Sequence, residues 1–255
     1  MCCWCCCPRS RTGGSAGRGR SRGPRPAGEA RVTAPEPRIV HSDERLLVVE
    51  KPAGLVVHPA ASHKGPTLVG LLEGRAEGGE AGRPGIVQRL DKDTSGLMVI
   101  ARDEPTHRAL SAQIKAREVT REYLALVEGA LDARTGTIDA PLGRDRRRRT
   151  RRAVRGSGER EARTHFEVVE SLPADTYVRA RLDTGRTHQI RVHFAAIGHP
   201  VAGDPEYGHR GRHGLERQFL HAARLAFRHP ATDEQMSFES ELPPDLAAAL
   251  EHARG

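Results

Sequence analysis

The sequence predicts an α+β fold, and three observations lead to it. Short apolar runs of strand character outnumber stretches with helical spacing. Several of these runs follow one another with only a turn between them, which a regular alternation of strand and helix does not allow. Only four segments carry helical signals, at 67–72, 104–117, 187–197 and 244–253. At 255 residues the chain is long enough for one substantial core, built as one large domain or two closely joined halves.

Residues 1–37 mix Gly, Pro, Ser, Ala and Arg with almost no branched apolar side chains. Such a segment cannot bury enough surface to offset its chain entropy, so a disordered basic tail is expected. All five cysteines, Cys2, Cys3, Cys5, Cys6 and Cys7, lie in it. They make neither a disulfide framework nor zinc-finger spacing, and the opening stretch lacks the apolar centre of a signal peptide. No run approaches the roughly 18 apolar residues of a membrane span. The expectation is a soluble, cytoplasmic, monomeric protein with no metal and no membrane partner, whose functional domain occupies 38–255.

Order should begin near Ile39, with strands at 39–40 and 46–50. Lys51-Pro52-Ala53-Gly54 is turn chemistry, and 55–59 returns as a strand. Thr67–Leu72 suits a short helix ended by Gly74. A strand at 86–90, a polar loop at 91–96 and a strongly apolar strand at 97–101 follow. The spacing over 104–117 is helical, with Leu110 and Ile114 on its core face. Tyr123–Val127 reads as a strand, and 164–171 and 176–183 as a pair joined at Pro173. Thr187 is placed to cap a helix running to Ile197, with Gly198 beyond its end. Strands at 220–227 and 234–239 precede a last helix over 244–253.

The net charge of +8 is unevenly placed. Residues 1–38 are net +6 and residues 143–163 net +7, which leaves the rest of the chain at −5. Clustered arginine favours a polyanion, because each phosphate neutralised releases counterions. Nucleic acid is the partner this points to. Aromatic residues are only 4% of the chain, which argues against an extended base-stacking platform.

Two clusters could carry chemistry. Asp91, Asp93, Thr94, Ser95 and Gly96 form a loop between apolar strands, which either lines a cleft or closes an ordinary tight turn. The second cluster is Thr184-Gly185-Arg186-Thr187-His188-Gln189-Ile190-Arg191-Val192-His193. On a helix after Thr187, Ile190, Phe194 and Ile197 make one apolar stripe, with His188 and Arg191 on the adjacent face. Arg191 then reaches out at the core edge, where a guanidinium can grip a carboxylate with two hydrogen bonds. His188 and His193 are five apart with no glutamate between them, which is not the HExxH of a zinc hydrolase. No GxxxxGK[ST] loop and no GxGxxG supports a nucleotide cofactor.

The run Arg89-Leu90-Asp91-Lys92-Asp93-Thr94-Ser95-Gly96-Leu97 resembles the signature of the RluA family of pseudouridine synthases. Glu50-Lys51-Pro52-Ala53-Gly54, Arg121-Glu122-Tyr123, Gly185–His193, Gly198–Asp204 and Leu220-His221-Ala222 with His229-Pro230 extend the likeness in the family's order. It runs from about Ile39 to Leu250. The resemblance implies a mixed, mainly antiparallel sheet in two halves flanking a central cleft, and isomerisation of uridine to pseudouridine in RNA without any cofactor. By the same resemblance Asp91 is the essential aspartate, and Tyr123 stacks on the target base and assists proton removal. Arg191 pairs with the aspartate, and Arg89 holds the place of the flipped-out nucleotide. His188 and the arginine run, Arg144, Arg146, Arg147, Arg148 and Arg149, are read as further RNA contacts. Ribosomal RNA of the large subunit is the expected substrate. Transfer RNA, or a catalytically silent RNA-binding or ribosome-assembly factor on the same fold, are the alternatives. Gln88 and Arg121 stand where histidine and lysine are common in the family, and residues 1–37 do not form the small RNA-binding domain many relatives carry.

Overall fold

The structure, a computed structural model, describes residues 36–59, 65–80, 82–148 and 151–255. The expected tail lies outside the described residues apart from its last two. The elements in order are β1 (Arg38–Ser42), β2 (Leu46–Lys51), α1 (Leu68–Leu71), β3 (Ser95–Ala101), α2 (Glu104–Ala116) and β4 (Thr120–Glu128). Next come β5 (Thr135–Asp139), β6 (Leu142–Arg144), β7 (Arg152–Val154), β8 (Ser157–Arg160), β9 (Arg163–Ser171) and β10 (Asp175–Leu182). α3 (Gln189–Ala196), β11 (Leu220–Arg228), β12 (Gln235–Glu239) and α4 (Pro244–Arg254) complete the chain. Among the described residues no helix is long and apolar enough to cross a membrane.

Nine strands form one mixed sheet in the order β1-β2-β3-β11-β4-β10-β9-β5, with β12 alongside β11. All pairings are antiparallel except β3 with β11, which touch only at Ser95↔His221 and Gly96↔Ala222. This two-residue seam joins the β1-β2-β3 half to the rest. A Cβ on Gly96 would stand 2.3 Å from the Ala222 carbonyl, and its φ is +115°, so only glycine closes the seam. A buried polar chain runs across it: His221 Nδ1 meets Ser95 Oγ at 2.9 Å, its Nε2 faces Ser240 Oγ at 3.1 Å, and Ser240 donates to Glu50.

Alternation along β2 sends Leu46 and Val48 to one face and Leu47 and Val49 to the other, and both faces are buried. α2 covers one face with Leu110; α4 covers the opposite one with Leu246, Ala249 and Leu250. Every residue of β3 is buried, which its unbroken apolar run Leu97–Ala101 requires. The chain therefore leaves β3 at a rigid point, and the loop before it inherits that rigidity.

Four expectations need correction. Residues 55–59 make a single bridge, Val56↔Thr67, because the carbonyls of Val56 and Val57 are taken by the first N–H groups of α1. Residues 86–90 pair only at Ile86↔Ile100 and then diverge to line a cavity. Thr187 does not cap α3. The cap position is His188 in a left-handed conformation (φ +58°) without a side-chain cap, and the Gln189 amide organises the entry instead. It accepts from Thr184 Oγ1 (2.8 Å) and Arg186 N (3.0 Å) and donates to the Arg163 carbonyl (2.9 Å). Ile197, expected on the buried stripe, is 41% exposed, because the helix has already ended at Ala196. The sequence reading also missed β5 and the small sheet β7-β6-β8, which packs Leu142 and Val154 against Val192 of α3.

Candidate active site

The loop carrying Asp91 is held from below by Lys51. This lysine is fully buried, and its Nζ donates to the carbonyls of Pro52, Leu55 and Lys92 at 2.8–2.9 Å. Gly54 N–H donates to the same Lys92 carbonyl. Burial pulls the Lys51 ammonium down to about 7, against the opposing pull of Asp93 and Asp91. Further along the loop, Arg217 donates to the Asp93 carbonyl (3.0 Å) and Gln218 to Thr94 Oγ1 (3.2 Å). Main chain on both sides of Asp91 is thus fixed, while its carboxylate, 15% exposed, faces the cavity.

Tyr123 comes from the middle of β4, between Ala180 of β10 and Ala222 of β11. Small residues on both flanking strands leave room for its ring, which is 7% exposed and forms a wall of the cavity. Burial pushes its phenol up, Arg121 pulls it down, and Asp91 adds to the upward push. At neutral pH it carries its proton.

Arg191, on the second residue pair of α3, is 5% exposed. Its two-pronged grip falls on Asp204, which is fully buried: Nε donates to Oδ2 at 2.6 Å and Nη2 to Oδ1 at 2.8 Å. The remaining nitrogen, Nη1, donates to Asp91 Oδ2 at 3.3 Å. Glu206 stands 3.4 Å from Nη2. Burial acts against the charged guanidinium, but Asp204 and Asp91 outweigh it and raise its pKa. The expected Asp91–Arg191 contact is therefore one arm of a larger cluster, in which Asp204 sets the orientation of the arginine. Sequence reasoning missed Asp204 as a site residue. The Gly203 turn with two acids after it, Asp204 and Glu206, was the available signal.

His188 lies between this cluster and Tyr207. Its Nε2 is 4.0 Å from Asp91 Oδ1, and its Nδ1 is 2.9 Å from the Tyr207 hydroxyl. That hydroxyl already accepts from the Arg152 N–H at 2.9 Å, and burial pushes its pKa up to about 12. His188 Nδ1 also stands 3.4 Å from the Glu206 carboxylate, so the ring bridges Tyr207 and Glu206 on one side and Asp91 on the other. Burial also lowers the His188 pKa, with Asp91 opposing, so the ring is neutral at pH 7. The guanidinium carbons of Arg191 and Arg151 lie 5.0 and 5.3 Å from the Tyr207 ring centre. Tyr207, absent from the sequence-derived set, ties β7 to the site.

The cavity has a volume of about 410 Å³. Asp91, Tyr123, His188 and Arg89 line it, whereas Arg191 stands behind Asp91. Arg83, Arg89, Arg121 and Arg186 line it against two carboxylates, Glu80 and Asp91, so its walls favour an anion. Arg144, Arg146, Arg147 and Arg148 are exposed on β6 and the turn after it, away from the cavity, where Asp145 accepts from the Arg147 and Arg148 N–H groups. Arg149 lies outside the described residues.

Residues 45–196 match the family model described as RNA pseudouridylate synthase. The chain is 45% identical over 245 residues to an uncharacterised RNA pseudouridine synthase of Bacillus subtilis, covering 90% of this chain and 80% of that one. It is 47% identical over 222 residues to the ribosomal large subunit pseudouridine synthase D of Pseudomonas aeruginosa, covering 82% of this chain and 69% of that one. Among solved structures, human RNA pseudouridylate synthase domain containing 1 superposes with a TM-score of 0.67 at 28% identity, covering 84% of this chain and 87% of that one.

Proposed function

This chain belongs to the RNA pseudouridylate synthase family and is an RNA pseudouridine synthase, and from that premise we propose that it isomerises uridine in large-subunit ribosomal RNA with Asp91 as the reacting carboxylate. The observation that carries the site assignment is the Asp91 carboxylate in a basic cavity, 3.3 Å from a buried arginine whose other face is clamped by Asp204. The relatives named for large-subunit ribosomal RNA support the substrate. A monomeric working unit acting in the cytoplasm is part of this proposal.

The reaction breaks the bond between ribose C1′ and uracil N1, turns the base, and forms a bond from C1′ to C5. The proton on C5 leaves and N1 gains one, so atoms and charge balance. The base must first leave its stack, at about a few kcal/mol, and enter the cavity. Asp91 acts at the sugar and must be ionised to do so. A lone buried carboxylate would be unfavourable, and Arg191 supplies the countercharge without being drawn onto Asp91, because Asp204 holds it. Tyr123 supplies a flat face for the uracil and a hydroxyl on the C5 side. Arg89, exposed at the mouth, is placed to fill the gap left by the flipped base.

The test is to incubate unmodified large-subunit ribosomal RNA with the wild type and with Asp91→Asn and to map pseudouridine chemically. The wild type should modify discrete uridines and Asp91→Asn none. Equal modification by both would remove Asp91 from its role. Modification of transfer RNA alone would move the substrate.

A further inference from the structure

Arg121 is a second buried arginine at the cavity, and its surroundings are unlike those of Arg191. It precedes Tyr123 by two residues on β4, so both side chains leave the same face of the strand, and both line the cavity. It is 5% exposed. Arg191 has three carboxylates within 3.4 Å, whereas among the described residues none comes within ion-pair distance of Arg121. Its contacts to protein are two long hydrogen bonds from one nitrogen, Nη2 to the carbonyls of Leu182 (3.3 Å) and Asp183 (3.4 Å). Its buried Nε has no partner. On the other side, a Cβ at Gly185 would stand 3.0 Å from Nη1, so the glycine leaves that nitrogen unobstructed where Gly185 also borders the cavity.

A guanidinium buried without a carboxylate is strongly unfavourable, and arginine stays charged even so. Such a group facing an open cavity is matched to a negative charge that arrives later. The isomerisation supplies one. When the C1′–N1 bond breaks, its electron pair goes to the uracil, where it spreads from N1 onto the two carbonyl oxygens. The base carries this charge whether Asp91 attacks C1′ or removes a proton from C2′. It disappears when C5 bonds to C1′, the C5 proton leaves and N1 is protonated.

We propose that Arg121 is the cation that stabilises the departing uracil, donating from Nη1 to a carbonyl oxygen of the base as the C1′–N1 bond breaks. The ground-state uracil is neutral, so the interaction strengthens in the transition state, which is what accelerates the step. A backbone phosphate is the other anion within reach. It fits the exposed Arg83 and Arg89 at the mouth better than a side chain sealed beside Tyr123. The inference rests on the assignment of Asp91 and Tyr123 to the reacting pocket.

The experiment compares the single-turnover rate at which the N1-linked target nucleotide disappears from two transcripts of large-subunit ribosomal RNA, one with uridine and one with 5-fluorouridine at the modified position. With fluorine on C5 there is no C5 proton to lose, so cleavage of the C1′–N1 bond, not pseudouridine formation, is what both RNAs report. Fluorine withdraws electrons and stabilises the anion of the leaving base, so it lessens the need for a cation. Arg121→Met should slow conversion of uridine about 10²–10³-fold and that of 5-fluorouridine by about tenfold at most. Arg121→Lys, which keeps charge but one point of donation, should fall between wild type and Arg121→Met and show the same dependence on fluorine. If Arg121→Met does not fold, the lysine variant carries the comparison. Equal losses on both RNAs, no loss on either, or a loss confined to RNA affinity at unchanged saturating rate would each overturn the proposal. Wild-type activity retained by Asp91→Asn in the same assay would instead overturn the site assignment on which it rests.

Discussion

Around Arg191 one guanidinium is buried among three carboxylates, whereas on the β6–β8 sheet and its turn the arginines from Arg144 to Arg148 stand in solvent. The residue type is the same and the elements touch, since β7 packs on α3 and Tyr207 stacks between Arg151 and Arg191. The difference is the medium. In a dry site each ion pair is individually indispensable, because removing one partner strands the other. In water each arginine contributes little alone and acts through the summed field and the counterions it displaces. The buried region is accordingly suited to fix geometry and the exposed one to raise affinity for RNA.

Breaking the buried side of this comparison should have the largest effect. Asp204→Asn removes the charge that holds Arg191, and we expect a stability loss of about 3 kcal/mol or more, read by urea denaturation. Arg191 is then free to turn fully onto Asp91, and turnover should fall at least about 100-fold. A variant with wild-type stability would show that Asp91 and Glu206 alone can hold the guanidinium.

Lys51 extends the buried side to a cation with no ion pair among the described residues, where its three partners are carbonyls. Its pKa is lowered from 10.5 to about 7 in the fold. Between those values the unfolded chain holds a proton that the folded chain has released, so stability rises with pH across that window. Below about 7 both states are protonated, and the full penalty of burying the charge is present. Relative to Lys51→Met, the wild type should gain about 1–2 kcal/mol between pH 7 and 9, as measured by denaturation at each pH. A flat difference would mean that the three carbonyls keep the ammonium protonated throughout.

Tyr207 tests whether the two regions communicate. Tyr207→Phe keeps the ring between Arg151 and Arg191 but removes the hydroxyl shared by Arg152 N–H and His188 Nδ1. Leaving those groups short of a partner should cost about 1 kcal/mol, and loss of the His188 orientation should lower turnover about tenfold. Normal turnover with weakened RNA binding would place the hydroxyl with the exposed region alone.

The parts of this arrangement were unequally legible in the sequence. β2, β3 and β4 could be read because continuous apolar runs admit few structures, and the rigid setting of the Asp91 loop follows from β3. The reach of Arg191 toward a carboxylate follows from helix phase. That the first claim on it belongs to Asp204 does not, because the contact depends on how the chain turns back at Gly203 after α3. The small sheet β7-β6-β8 was hidden for a different reason. Its strands are three or four residues long and dominated by charge and glycine, so neither periodicity nor propensity marks them; they are fixed by their own pairing, by Leu142 and Val154 packed on Val192, and by the Arg152 N–H bond to Tyr207. Tyr207 was missed for both reasons at once, since its partners come from that sheet and from the irregular entry to α3.

The smallest effect per residue should come from the exposed side. Replacing Arg146, Arg147 and Arg148 together by Gln removes three charges from solvent and leaves in place the main-chain bonds of the turn, from Arg147 and Arg148 N–H to Asp145 and from Arg151 N–H to the Arg148 carbonyl. Stability should change by less than about 0.5 kcal/mol, and turnover at saturating RNA should match the wild type, because none of the three lines the cavity. What should change is the slope of log affinity against log salt concentration, by about 0.7–0.9 for each arginine that contacts a phosphate. Titrating RNA binding at several salt concentrations measures it directly. A slope flattened by about 2 or more would assign the run to phosphate contact; an unchanged slope would make it a solvated surface. A loss of turnover at saturation would break the comparison itself, because it would show that charge in water on β6 is felt as geometry at Asp91.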